Sequence, residues 1–384
     1  MAVTVKSFAK INLGLRIGAA RADGFHDLLT VYQTIGLHDV IRVSIGRGSG
    51  IEIRCTDPRV PRDESNTCFR ICERGMRALR AKGRVVIEID KQLPVQGGLG
   101  GASANAVATL LGLERAVRRT LSQAEKLEIA AEVGSDLPLF LVGGTILGVG
   151  RGEQVYPLPD LPATACAVVT PEIGVSTPKA FVEWDRIQRL KPVSSVMPDR
   201  ARKRRSSTAV APARARATGS GRDTVWLRSV GADPSAPLRP GPGVGPDTST
   251  PKLTPFSASD RMNELSLGWS AWLSGLYSSA PPALVKGRGR AGNPLLALVR
   301  AGIENDFEQV VFPEYPELGE AKRALERAGA QYASLSGSGS TLYGLFRSPQ
   351  AAVLAVTRLR KAGWAAQATS TLGRAAYWRR VYGT

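Results

Sequence analysis

Histidine is scarce: His26 and His38 are the only two in 384 residues. Cysteine is nearly as rare, with only Cys55, Cys68, Cys72 and Cys166. Cys68 and Cys72 stand four apart on what reads as one helix face, but with so few imidazoles no zinc set can be assembled. The expectation is four buried free thiols in a reducing compartment. Long apolar runs are missing too. The longest, from Leu137 to Gly150, is broken by Pro138 and several glycines and is too short to cross a bilayer. The first residues, MAVTVKSFAK, alternate like a strand and carry no apolar signal core, so a cytoplasmic location is expected.

What is present is a chain with enough apolar residues, 43%, to build a real core. Its length suggests two domains, or one large one. The net charge of +18 invites a nucleic-acid reading. The distribution argues against it. Residues 186–260 hold 14 Lys/Arg and 5 Asp/Glu, so that stretch alone carries half of the excess. Roughly Leu190 to Pro251, rich in Pro, Gly, Ala, Ser and Arg, reads as a solvated, disordered basic insertion.

Elsewhere the periodicity is informative. Strands are predicted over Val3–Phe8, Ile11–Ile17, Leu28–Ile35, Val40–Ile45, Val85–Ile89, Tyr332–Leu335 and Thr341–Phe346. Helices are predicted over Cys68–Arg80, Val107–Val117, Ser122–Val133, Glu264–Tyr277, Pro294–Ile303, Glu317–Ala328 and Ala351–Lys361, with Ser122 and Glu125 spaced as a capping box. After Val169 the pattern fades. The class is α+β.

Between a strand and a helix lies Leu93-Pro94-Val95-Gln96-Gly97-Gly98-Leu99-Gly100-Gly101-Ala102-Ser103-Ala104. Four glycines in five positions strip the backbone of Cβ atoms, so its N–H groups can close on an anion. The helix that follows adds unpaired N–H groups and a positive dipole end. Together they make a cradle for a triphosphate. No Gly-Lys-Ser/Thr follows, so this is not a Walker A loop. No acidic residue closes a second strand about 20 residues on, so it is a poor dinucleotide fingerprint.

Further segments fall in register around this loop: Phe8-Ala9-Lys10-Ile11-Asn12-Leu13, Arg21-Ala22-Asp23-Gly24-Phe25-His26, Gly134-Ser135-Asp136-Leu137-Pro138, Asn305-Asp306-Phe307-Glu308 and Leu335-Ser336-Gly337-Ser338-Gly339-Ser340. In this order the chain resembles the GHMP kinase superfamily. Within it the chain is most similar to the family acting on a cytidyl-diphosphate-linked methylerythritol. The resemblance covers about residues 1–185 and 255–370. It departs at Phe25, where Tyr is usual, at Ala102 and at Ser135.

The resemblance implies an N-terminal ribosomal-S5-like α+β domain, 1–160, and a ferredoxin-like C-terminal domain, 161–384, interrupted at about 190–251. It implies transfer of the ATP γ-phosphoryl group to the 2-hydroxyl of the methylerythritol moiety, with Mg2+. Asp136 would be the general base and Lys10 would orient it and stabilise phosphoryl charge. Pro94 to Ala104 would hold ATP, with Ser103 on phosphate or magnesium and Asn66 bordering adenine. Asn12, Phe25, His26 and Thr177 would bind substrate, Phe25 and His26 by stacking and hydrogen bonding to cytosine. The partner would be this small molecule, with no membrane or nucleic acid, on a monomer or weak homodimer. Two alternatives stand beside this: a superfamily kinase for mevalonate or homoserine, which lack a base to stack, and a non-catalytic binding protein of the same fold.

Overall fold

The computed structural model describes residues 2–190 and 304–383. The expected insertion at about 190–251 and the helices expected over 264–277 and 294–303 lie outside the described residues.

A six-stranded sheet carries the N-terminal half. Its strands are β1 (Val3–Ala20), β2 (His26–Gly46), β3 (Ile51–Cys55), β4 (Arg84–Asp90), β5 (Thr145–Val149) and β6 (Gln154–Pro157). They run in the order β3-β4-β2-β5-β6, with β1 also on β2, and only β3–β4 is parallel. The expected short strands thus merge pairwise into two long ones. Pairing between β1 and β2 runs straight through each expected break, with Ser7 opposite Asp39, Phe8 opposite His38 and Lys10 opposite Thr34, and bulges between Phe8 and Lys10 and between Asn12 and Gly14 bend β1 without ending it. Around these bulges, Ala9, Ile11 and Leu13 enter one core while Lys10 and Asn12 line the cleft.

A four-stranded antiparallel sheet, β10-β7-β9-β8, comprises β7 (Ala165–Val169), β8 (Tyr332–Leu335), β9 (Leu342–Phe346) and β10 (Ala366–Ser370). Ala9, Ile11, Leu13, Val31 and Ile35 of the first sheet share a core with Cys166, Val168, Tyr343 and Leu345 of the second. Strands covered on both faces read as nearly continuous apolar runs, as β7 and β9 do.

Helices α1 (Thr67–Ala78), α2 (Gly101–Val117), α3 (Gln123–Val133) and α4 (Leu137–Phe140) pack in the core of the first sheet. Helices α5 (Thr177–Leu190), α6 (Glu308–Glu314), α7 (Pro316–Arg327) and α8 (Pro349–Lys361) cover the second. The C-terminal helix α9 (Arg374–Val381) returns to the first core through Tyr377 and Val381. The capping box forms: Ser122 Oγ accepts from Glu125 N, and Glu125 Oε2 from Ser122 N. Helix α5 was not expected, because Pro178, Lys179, Glu183, Asp185 and Arg186 dilute its apolar stripe. Buried Ala180 and Trp184 hold it down.

Candidate active site

One cleft of about 580 Å³ brings together residues from almost every expected motif. That is within the ordinary range for small-molecule sites. Among its lining residues are four cations, Lys10, Arg59, Lys91 and Arg151, and a single carboxylate, Asp136. Such a balance favours a polyanionic ligand.

The glycine loop forms the floor. Helix α2 begins at Gly101, and Gly100 is its N-cap in the left-handed region, φ 69°. The loop therefore ends earlier than expected, and Ser103 lies in the first turn of the helix rather than at its cap. The loop is held from both sides. Asp39, fully buried, accepts hydrogen bonds from Gln92 N at 2.6 Å, Leu93 N at 2.7 Å, Lys91 Nζ at 2.7 Å and Asn105 Nδ2 at 3.0 Å. One carboxylate thus ties the entrance of the loop to the helix beyond it. Across the cleft, Thr341 N donates to Gly97 O at 3.1 Å and Ser336 Oγ to Gly98 O at 2.9 Å.

Gly98 has φ 75°, and a Cβ there would collide with Ser336 O. Strain of this kind costs about 1–3 kcal/mol. Gly98→Ala is accordingly expected to raise the KM for ATP by on the order of tenfold. Steady-state kinetics at varied ATP check this, and an unchanged KM would mean that the loop's shape is not set by this contact.

Lys10 is buried, with its Nζ donating to Asn12 Oδ1 at 2.7 Å and lying 3.5 Å from Asp136 Oδ2. Burial pulls its pKa below the ordinary lysine value, and Asp136 partly offsets that pull. Asp136 occupies the N-cap position of α4 but makes no capping hydrogen bond. Its Oδ1 accepts from Tyr32 Oη at 3.0 Å instead. Burial and then the Asp136 carboxylate push the Tyr32 phenol well above its usual range, so it remains a donor. One carboxylate oxygen is thereby fixed by Tyr32 while the other faces the ammonium. Asn12 lines the cleft, yet both ends of its side chain are engaged: its Nδ2 donates to Thr30 Oγ1 at 2.7 Å. In this structure it orients Lys10.

Phe25, also lining the cleft, is half exposed, with the Arg151 guanidinium 4.9 Å from its ring centre. His26 is buried and stacks on Phe181, centroids 4.8 Å apart and planes within 8°. Thr177 Oγ1 bonds to Ser338 Oγ at 2.7 Å, joining α5 to the second small-residue loop. Asn66 lies in the cleft wall but is also the N-cap of α1: its Oδ1 accepts from Cys68 N and its Nδ2 donates to Pro61 O. The four cysteines are free and buried, and burial raises the thiols of Cys68, Cys72 and Cys166 to about 12. Tyr32, Arg151, Phe181 and Asp185 were not anticipated. Only Phe181 and Asp185 left a trace, at i+4 and i+8 from Thr177, a spacing visible once α5 is known to be a helix.

The fold and cleft define a class. The family model for the GHMP kinases N terminal domain matches residues 66–144, and that for the GHMP kinases C terminal region matches residues 283–364. A 4-diphosphocytidyl-2-C-methyl-D-erythritol kinase of Solibacter usitatus is 32% identical over 355 residues, covering 92% of this chain and 84% of the relative. One of Acaryochloris marina is 31% identical, covering 94% and 92%. The chain belongs to the 4-diphosphocytidyl-2-C-methyl-D-erythritol kinase family. Solved structures agree on the fold. A 4-(cytidine 5'-diphospho)-2C-methyl-D-erythritol kinase superposes with TM-score 0.61 at 24% identity, covering 96% of this chain and 99% of the other. A homoserine kinase from Cytophaga hutchinsonii superposes with TM-score 0.60 at 16% identity, covering 97% and 95%.

Proposed function

We infer that this chain is an ATP-dependent kinase that phosphorylates the 2-hydroxyl of 4-diphosphocytidyl-2-C-methyl-D-erythritol. The observation that carries the reading is one cleft lined by a glycine cradle, a Lys10–Asp136–Tyr32 cluster and the aromatic rings of Phe25, His26 and Phe181. The aromatic side chains suit a base, the cationic lining suits phosphates, and Asp136 is the one carboxylate lining the same cleft. Asp136 takes the proton of the attacking hydroxyl, whose oxygen bonds to the γ-phosphorus as the β–γ bridge breaks and ADP leaves. Lys10 faces the oxygens where negative charge grows. Pro94 to Ala104 hold the triphosphate.

Mg2+ fits this cleft. Among the described residues no cluster of three or more His, Cys, Asp or Glu could hold a metal by itself, and the Ser103 hydroxyl makes no hydrogen bond. A hard cation that keeps several waters and takes the rest of its oxygens from phosphate needs no more than that hydroxyl from the protein. When bound, it would supply neutralisation of the β- and γ-phosphate oxygens. Among the described residues no helix is long and apolar enough to cross a membrane. We place the enzyme in the cytoplasm, where ATP and a small charged substrate are free to reach the cleft.

The test is ATP consumption by purified protein with the cytidyl substrate, mevalonate and homoserine. Turnover with the first alone is expected, and preference for either of the others would overturn the reading. Phe25→Ala is expected to raise the KM for the cytidyl substrate by about tenfold, since stacking contributes roughly 1–3 kcal/mol per base. The KM for ATP should hold. A fall in ATP affinity instead would mean that this part of the cleft is assigned to the wrong ligand.

A further inference from the structure

Helix α5 presents Thr177, Phe181 and Asp185 at four-residue intervals, hence along one face. All three touch parts of the cleft. Thr177 bonds to Ser338, Phe181 lies flat on His26, and Asp185 Oδ1 sits 2.8 Å from His26 Nε2. His26 is therefore gripped twice by one turn of one helix: on its face by an aromatic ring, on its edge by a carboxylate. Buried Trp184 anchors that turn in the core of the second sheet.

The edge contact has a chemical consequence. An ionised carboxylate only accepts hydrogen bonds, so the proton of this contact resides on Nε2. In the neutral ring Nδ1 then carries a lone pair and no proton. Among the described residues Nδ1 has no hydrogen-bond partner, although His26 lines the cleft. It is the ring nitrogen left for a ligand. The edge of cytosine offers an exocyclic amine, which donates. Uracil offers a carbonyl oxygen at the same place, which also accepts, and two acceptors repel.

We propose that Asp185 is a specificity-positioning residue: it holds His26 in the Nε2–H form, whose Nδ1 accepts from the exocyclic amine of cytosine, so the cleft selects cytidyl over uridyl substrates. This rests on the cytidyl reading above. Asp185 itself does not touch the ligand in this scheme; it acts through His26.

The experiment measures kcat and KM for the cytidyl substrate and for its uridyl analogue, in wild type, Asp185→Ala and Asp185→Asn. Asp185→Ala is expected to raise the KM for the cytidyl substrate about tenfold, the usual size of one lost oriented hydrogen bond. The KM for ATP should stay within about twofold, and the cytidyl-to-uridyl ratio of kcat/KM should fall by on the order of tenfold. Asp185→Asn keeps an acceptor oxygen and is expected to retain most of the ratio. A variant that is merely less well folded would lose active sites for both substrates equally and leave the ratio untouched. Nitrogen-15 spectra of the His26 ring give a readout without substrate: wild type should show the Nε2–H tautomer, and Asp185→Ala a mixture. An unchanged ratio in Asp185→Ala, or an Nδ1–H ring in wild type, would overturn the proposal while leaving the cytidyl reading intact. Failure of wild type to use the cytidyl substrate would overturn both.

Discussion

Asp136→Asn is expected to lower turnover by on the order of 10²–10⁴, the usual contribution of a positioned general base. The substitution is nearly isosteric. The Asn oxygen can still accept from Tyr32, and the short helix α4 keeps its N-cap residue, which makes no capping bond in the first place. What disappears is the ability to take a proton, together with the charge facing Lys10 at 3.5 Å. On the proposed reading ATP is held by the glycine loop, to which Asp136 makes no hydrogen bond, so the KM for ATP should stay within a few-fold. Single-turnover measurement with preformed ternary complex separates the chemical step from product release. Turnover within a factor of two of wild type would remove Asp136 from the reaction.

Lys10→Met is expected to reduce kcat by about 10²–10³, the scale for losing one charged stabiliser aimed at a developing oxyanion in a dry site. The ammonium sits almost wholly out of water, which would strengthen its field at the phosphoryl group in the proposed reaction and makes it costly to bury. Methionine fills similar volume without that cost, but it leaves the buried Asn12 Oδ1 without its donor. The two effects oppose each other, so thermal unfolding should show a variant within a few degrees of wild type, despite the lost activity. In wild type the desolvated ammonium loses its proton at lower pH than an ordinary lysine. The alkaline fall of kcat should accordingly begin below the usual lysine range, and it should vanish from the residual activity of Lys10→Met. Retention of more than a third of wild-type kcat would make the lysine a structural residue only.

How far the sequence revealed this site depended on the kind of signal each residue leaves. Lys10, Asp136 and the glycines sit in short local motifs whose spacing survives being read in one dimension, and they meet in the cleft. Tyr32 left no trace, because an apolar strand residue in β2 looks the same whether its hydroxyl points into packing or at a carboxylate. Phe181 and Asp185 were hidden by the missed helix α5: without a period of 3.6 there was no reason to put Thr177, Phe181 and Asp185 on one line. The long strands were misjudged for the opposite reason. The break in alternation between Phe8 and Ile11 resembled a strand end, whereas a bulge absorbs it and the pairing with β2 continues. Asn12, expected to bind substrate, and Asn66, expected to border adenine, both line the cleft. Their amides, however, are spent on Lys10, Thr30, Cys68 and Pro61, which no sequence pattern shows.

The bonds from Thr341 and Ser336 to the carbonyls of Gly97 and Gly98 join positions about 240 residues apart. Until the strand ending at Leu335 and the loop beyond it have left the ribosome, the glycine segment has nothing to close against. Domains generally fold in the order they are made. On the proposed reading, the glycine loop would complete a nucleotide site only once residues 336–341 have been made. Nucleotide stabilises a protein only through species that bind it. Cellular ATP therefore cannot help the nascent first half to fold, and a fragment ending before residue 332 should show no ATP-dependent rise in Tm.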